Sequence, residues 1–392
     1  MQLLALDEFS RRIVTGEPCP WSVLNIAGEL LLAQGLVIRS DEMAEALQER
    51  GAFVVVDDGD AVPVVRPDPA APAPPAFRFD IRKTLLEEDT LTGRWVTLEA
   101  RIGGVLRGAQ DRSFPSRLHE TMMRVAATAQ KHSDELVYLI LRHDHRRMQN
   151  YGVAHALHCA ALCALLARRL RWNGPRSISL LGAALTMNLS ILDLQGQLAT
   201  LGGRPTAAQH RMIQDHPLQS ADMLRSVGIS DIEWLQTVEQ HHEAPGGAGY
   251  PRRLEAPAEM AQLLRLVDIF TAKHSPRTGR GPLPAHQAAR DLFLHSQNDP
   301  FAHLLIKELG IYPPGCYVRL ANEEIAVVTH VGRTARTPRV AVVLNRDGDT
   351  LLEPVPRDTA ETAYAIQRTV PDSAVKVSIP PERIYARRLP QA

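Results

Sequence analysis

From about residue 80 to residue 310 the chain repeats apolar positions at spacings of three and four. WVTLEARIGGVLRG, SDELVYLILRHDHRRM and VAHALHCAALCALLARRL each place an apolar stripe along a helix. Strand-like alternation is nearly absent there, so a helical domain is expected over 78–310. From 311 the texture changes: EEIAVVTHVG and PRVAVVLNRDGDTLLEP are β-branched runs around an Asp-Gly turn, and they predict a β-rich C-terminal extension over 311–392. Residues 1–60 alternate short apolar runs with turn signals. Within them SDEMAEALQERG offers a serine N-cap, an acidic first turn and a glycine stop for one helix, which together predict a small α+β module. Between module and helical domain lies AVPVVRPDPAAPAPPAF, residues 61–77. It is too rich in proline to hold regular hydrogen bonding and reads as a semi-stiff extended linker. The expected fold class is mainly α, and no internal repeat is visible.

Composition narrows this picture in three ways. At 392 residues the chain is long for one core, so two or three domains are expected. Its 44 basic and 44 acidic residues cancel, which removes any bulk attraction to a nucleic acid polymer or an anionic membrane; a phosphate ligand needs a local site. The four cysteines (Cys19, Cys159, Cys163, Cys316) are too few and scattered for a disulfide framework. Cys159 and Cys163, four apart in an apolar run, read as reduced, packed thiols rather than a metal pair. The N-terminus MQLLALDEFSRRIV lacks the features of a secretory signal, and no apolar run reaches membrane-spanning length, so a cytoplasmic location is expected.

Against this background several polar residues stand out. His155 and His158 sit among alanines and leucines in YGVAHALHCAALCALL, His216 opens HPLQSADML, and RLVDIF places Asp268 inside an otherwise apolar helix. His241 and His242 begin HHEAPGGAGYP, with three glycines within four positions. A buried aspartate is costly unless a charge or metal partners it, and imidazole with carboxylate is the donor set for divalent manganese, iron, zinc or nickel on a helical scaffold. Each residue alone also has a structural reading: a satisfied core or surface histidine, a helix-side salt bridge for Asp268, a tight loop for the glycines. Glu243 reads as orienting a neighbouring histidine or as solvated, and His158 as packed beside the centre.

HHEAPGGAGYP resembles the signature HHExxxGxGYP of the HD-GYP family, helical HD-superfamily phosphohydrolases that hydrolyse the bacterial second messenger cyclic di-GMP. The surroundings agree in order. YGVAHALHCA is similar to the first ligand helix and places His155 at a metal position; DHPLQSADML is similar to HPxxGxxxL and places His216. RLVDIFTAKHSPRTGR is similar to VADxxDALxxxRPYR, placing Asp268 at the carboxylate ligand and Arg277 and Arg280 at the basic residues that reach nucleotide phosphates. The resemblance is strong over residues 130–290, and it implies metal ligation by His155, His216, His241, His242 and Asp268. Nucleotide or partner contact falls to Gly247, Gly249, Tyr250 and Pro251.

One segment departs from the pattern. Where the family carries HDIGK, this chain reads TMNLSIL, with Met187 and Asn188 at the dyad and Ile191 at the lysine. The family aspartate bridges two cations; Asn188 has its shape without its charge, Met187 offers a soft thioether, and Ile191 removes a phosphate-facing cation. The resemblance therefore implies a protein that binds cyclic di-GMP, or a protein partner through its GYP loop, with at most one divalent ion (manganese, iron, nickel or magnesium). The alternatives are a working phosphodiesterase that uses the five remaining ligands, and a purely structural scaffold.

Overall fold

The structure, a computed structural model, describes residues 2–5, 17–19, 23–24, 30–32, 37, 53–56, 90–142, 148–201, 203–275, 284, 287–288, 291, 299–376 and 379–386. The expected linker over 61–77, the expected helix in SDEMAEALQERG, Arg277 and Arg280 lie outside these residues. The chain divides into two compact units, residues 1–104 and 105–392.

In the first unit, strands β1 (Gln2–Ala5), β2 (Val23–Leu24), β3 (Leu30–Leu32) and β4 (Phe53–Val56) form an antiparallel sheet in the order β1-β4-β2-β3. Leu3 pairs with Val55, and Val23 with Val54. Helix α1 (Leu91–Arg107) runs across the division between the units.

The second unit is helical and then β, as the residue pattern predicts. Its longer helices among the described residues are α2 (Phe114–Lys131), α3 (Ser133–Leu141), α4 (Tyr151–Arg169), α5 (Gly174–Thr186), α6 (Leu192–Leu201), α7 (Ala207–Ser226), α8 (Ile232–Gln240), α9 (Glu259–His274) and α10 (Pro300–Leu309). Their starts follow capping chemistry. Asn173 accepts from the Arg176 amide at 2.9 Å, Asp231 from Trp234 at 3.0 Å, and Thr206 with Gln209 closes a reciprocal capping box. Helix α4 is the central post, buried nearly all round and flanked by α2, α5, α6, α9 and α10. Gly182 lets α5 and α8 approach closely: a Cβ there would lie 2.5 Å from the Trp234 ring.

Two helical stretches, 148–169 and 174–201, are long and apolar enough by composition to cross a bilayer, contrary to the reading of the sequence. Burial explains them: 89% and 72% of their apolar windows are covered inside the fold, so most of this apolar surface faces the core.

Strands β5 (Tyr317–Leu320), β6 (Ile325–His330), β7 (Arg339–Leu344), β8 (Thr350–Asp358) and β9 (Ile366–Val370) form the C-terminal antiparallel sheet, in the order β8-β7-β6-β5-β9. The turn expected in NRDGDT joins β7 to β8, with Gly348 at φ 89°. This sheet is fastened to α3 by polar contacts. Asp134 accepts from the Val331 amide at 3.3 Å, and Arg142 lies over the Tyr317 ring while pairing with Asp372 at 2.9 Å.

Candidate metal centre

Four helices bring the five expected donors into one continuous cluster. α4 carries His155, α7 carries His216, the C-terminus of α8 carries His241 and His242, and α9 carries Asp268. His216, His241 and His242 form one group, and His155, Asp268 and Cys159 another; within each, the donor atoms lie within 4.8 Å of one another. The groups meet at Asp268, whose Oδ1 is 2.7 Å from His155 Nε2 and whose Oδ2 is 3.8 Å from His242 Nδ1.

Local backbone chemistry fixes the two central imidazoles. Pro217 has no N–H, so the Ile213 carbonyl loses its helical donor and takes His216 Nδ1 instead, at 2.6 Å. At the end of α8 the carbonyl of Val238, in the last turn, takes His241 Nδ1 at 2.7 Å. A carbonyl can only accept, so both Nδ1 atoms carry the proton. Their Nε2 atoms then face each other bare, 3.1 Å apart. Protonating one ring would relieve this, but burial, reinforced by the neighbouring His241, pushes the His216 imidazole down to about 3. Burial also lowers His241, and burial with the adjacent His241 holds His242 far below the usual imidazole range. Opposed lone pairs on neutral rings, each oriented by a carbonyl behind it, are a donor set that a cation completes.

For Asp268 burial alone would raise the carboxyl, but the hydrogen bond from His155 and the surrounding imidazoles more than reverse this and hold it below the ordinary carboxylate range. Cys159 is the member of the cluster that the sequence reading set aside as a packed thiol; its Sγ lies 3.6 Å from His155 Nε2. The available signal was its position one turn after His155 on the same helix face. His158 is buried in the core.

Met187 and Asn188 form a buried segment braced on both sides by the elements that bear the histidines. Just before them, Thr186 accepts from the Trp234 indole on α8 at 2.9 Å; just after, Ser190 donates to the carbonyl of His216 at 3.2 Å. Ile191 is buried as well.

The glycine loop is closed on itself. Gly246 and Gly247 have φ of 75° and 71°, and their amides donate to the carbonyls of Glu255 and Leu254. Glu243 is neither solvated nor turned to a histidine. It is fully buried, and its two carboxylate oxygens accept from the amides of Arg252 at 2.6 Å and Leu254 at 3.0 Å. At Gly249 an added Cβ would meet the Ala244 nitrogen at 2.3 Å, so the loop packs back onto the His242–Ala244 backbone only because that position is glycine. This seats the Tyr250 ring on His242, centroids 4.6 Å apart. Pro251 is half-buried, while Pro245, Gly246 and Ala248 form the exposed tip.

Residues 120–301 match the HD domain family. The chain is 26% identical over 316 residues to the cyclic di-GMP phosphodiesterase PA4108 of Pseudomonas aeruginosa, covering 78% of this chain and 72% of the relative. It is 28% identical over 137 residues to 3'3'-cGAMP-specific phosphodiesterase 1 of Vibrio cholerae, covering 34% of this chain and 31% of the relative. Among solved structures it is similar to Bd1817, an HDG"Y"P protein from Bdellovibrio bacteriovorus, with a TM-score of 0.49 at 14% identity, covering 77% of this chain and 96% of that one.

Proposed function

We propose, from the premise that this chain belongs to the HD-GYP family of HD-domain proteins, that it acts in cyclic di-GMP signalling by binding the dinucleotide, or a protein partner, without turning it over. The observation that carries this reading is the pair Met187 and Asn188, buried and braced between the helices of His216 and His241 where the family signature has histidine and aspartate. A neutral amide cannot offset the repulsion of two adjacent cations, which a bridging carboxylate does.

The imidazole trio of His216, His241 and His242 offers borderline nitrogen donors for one divalent ion; of manganese, iron, nickel and magnesium, such donors suit iron and nickel best. When bound, such an ion supplies Lewis acidity and positive charge for phosphate oxygens. His155 and Asp268 satisfy each other beside it. On this reading Tyr250 and Pro251 wall the nucleotide groove, Gly247 and Gly249 hold that wall in place, and Arg277 and Arg280 supply phosphate contacts. The exposed loop tip around Ala248 is the surface open to a protein partner.

The test is calorimetry with cyclic di-GMP on manganese-loaded protein, run beside a hydrolysis assay and repeated with 3'3'-cGAMP. Binding of cyclic di-GMP with product formation at background is expected. Multiple turnovers per chain would establish the working phosphodiesterase instead, and no binding of either dinucleotide would leave the scaffold reading.

A further inference from the structure

The loss of the dyad leaves His155 and Asp268 short of partners for an ion, yet a third donor stands beside them. Cys159 lies one turn along α4 from His155, is wholly buried, and forms no disulfide. Its Sγ is 3.6 Å from His155 Nε2 and within 4.8 Å of the Asp268 carboxylate. Cys163, one turn further and equally buried, joins no such group among the described residues, so the geometry there singles out one of two neighbouring thiols.

The spacing matches a shared ion. Sulfur at ~2.3 Å and nitrogen at ~2.05 Å from one tetrahedral zinc stand ~3.5 Å apart. The His155–Asp268 separation of 2.7 Å is that of a hydrogen bond, shorter than the ~3.3 Å that nitrogen and oxygen keep on a common ion, so this contact opens as an ion enters. His155 is 2% exposed, and the ring nitrogen that meets Asp268, Nε2, is the same one that faces the Cys159 sulfur.

We propose that Cys159 is a metal ligand of this chain, forming with His155 and Asp268 a second seat that takes a borderline-soft cation such as zinc or cobalt(II) and refuses manganese and magnesium. As the sulfur–metal bond forms, the thiol proton leaves to solvent, so the seat contributes one thiolate and one carboxylate; these neutralise the divalent charge held there and so offset the repulsion from an ion at the imidazole trio, which the uncharged Asn188 cannot do. The reasoning is softness: thiolate favours zinc and cobalt over hard oxygen-seeking ions, and the loss of Asn188's charged counterpart removes the ligand that would have suited the latter. The inference rests on the reading that the imidazole trio holds a divalent ion, and it adds a second seat of different selectivity.

The experiment is titration of the metal-free full chain with cobalt(II), followed by absorption spectroscopy and elemental analysis, with manganese in parallel. Expected are one manganese per chain but two cobalt ions, the second accompanied by a near-ultraviolet sulfur-to-cobalt charge-transfer band. Cys159→Ser and Cys159→Ala should abolish the band and return cobalt stoichiometry to one; Cys163→Ser should keep both. A single cobalt with visible bands and no charge transfer would overturn the proposal and leave the imidazole reading standing. Absence of any cobalt binding would remove both, and a charge-transfer band surviving in Cys159→Ser would also overturn the proposal.

Discussion

His216 and His241 point their Nε2 atoms at each other across 3.1 Å, and both rings hold their proton on the far side. For His216 this orientation traces to one residue, Pro217, whose missing N–H frees the Ile213 carbonyl. Pro217→Ala should therefore separate stability from metal affinity. A helix-interior proline costs up to ~3 kcal/mol, so the variant should melt at a higher temperature, with some of the gain offset by a looser unfolded chain. The new N–H reclaims the Ile213 carbonyl and leaves His216 unoriented, which should weaken manganese binding by about 10- to 100-fold. A thermal melt and a metal titration on the same sample check both; unchanged affinity would refute the orienting role.

The two kinds of glycine in the loop should respond differently. At Gly249 an added Cβ meets backbone atoms of Ala244, Glu243 and His242 at 2.3, 2.4 and 2.5 Å, and none of these can swing away. Gly249→Ala should cost about 1 to 3 kcal/mol or more by overpacking and displace Tyr250 from His242, so dinucleotide binding falls as well. At Gly246 nothing lies within 4 Å of an added Cβ, and only the φ of 75° resists it. Gly246→Ala should cost about 1 kcal/mol and leave binding close to wild type. Equal effects in chemical denaturation would remove the packing argument.

Much of this architecture is legible along the chain, because helix spacing, β-branched runs and the NRDGDT turn are local signals. The donors are legible only jointly. His155, Cys159 and Asp268 meet through packing of α4 against α9, and α4 is apolar on every side, so no amphipathic face marks which turn looks into the centre. For that reason Cys159 reads as one more core thiol. Glu243 is hidden for a similar reason: its partners, the amides of Arg252 and Leu254, arrive by loop closure rather than by helical spacing. Burial inside the fold also makes two apolar helical stretches resemble membrane spans.

Asp134 gives a pH dependence with a definite sign. It faces Glu135, Glu308 and Arg168 while accepting the Val331 amide, and burial, with the two glutamates adding to it, pushes its carboxyl from 3.8 up to about 6. The folded state therefore holds this proton more tightly than the unfolded state. Stability falls as pH rises from about 4 through 6, and the cost is fully present above that window. Asp134→Asn keeps an acceptor for Val331 and removes the charge. It should be more stable than wild type at pH 7.5 by about 1 to 3 kcal/mol, less a few tenths for a lost helix-start charge, with the difference vanishing near pH 4. Parallel melts across pH 4 to 8 test this; a constant difference would show that the carboxyl titrates normally.

Rebuilding the departed segment tests the binding-only reading most directly. Met187→His, Asn188→Asp and Ile191→Lys together restore two ligands and a phosphate-facing cation on a backbone already braced by Thr186 and Ser190. The triple variant should hold two manganese ions per chain where the wild type holds one, and should raise hydrolysis of cyclic di-GMP above background. Asn188→Asp should contribute most, because it alone of the three changes supplies the negative charge that lets two cations sit side by side: at ~4 Å the repulsion of two divalent ions is about 17 kcal/mol even at an effective dielectric of 20. The three changes share one site, so their effects should exceed the sum of the singles. A folded triple variant that still binds one manganese would show that the pocket around Asn188 has closed beyond what side chains can reopen. A wild type that hydrolyses as fast as the triple variant would show instead that the donors already present suffice for catalysis.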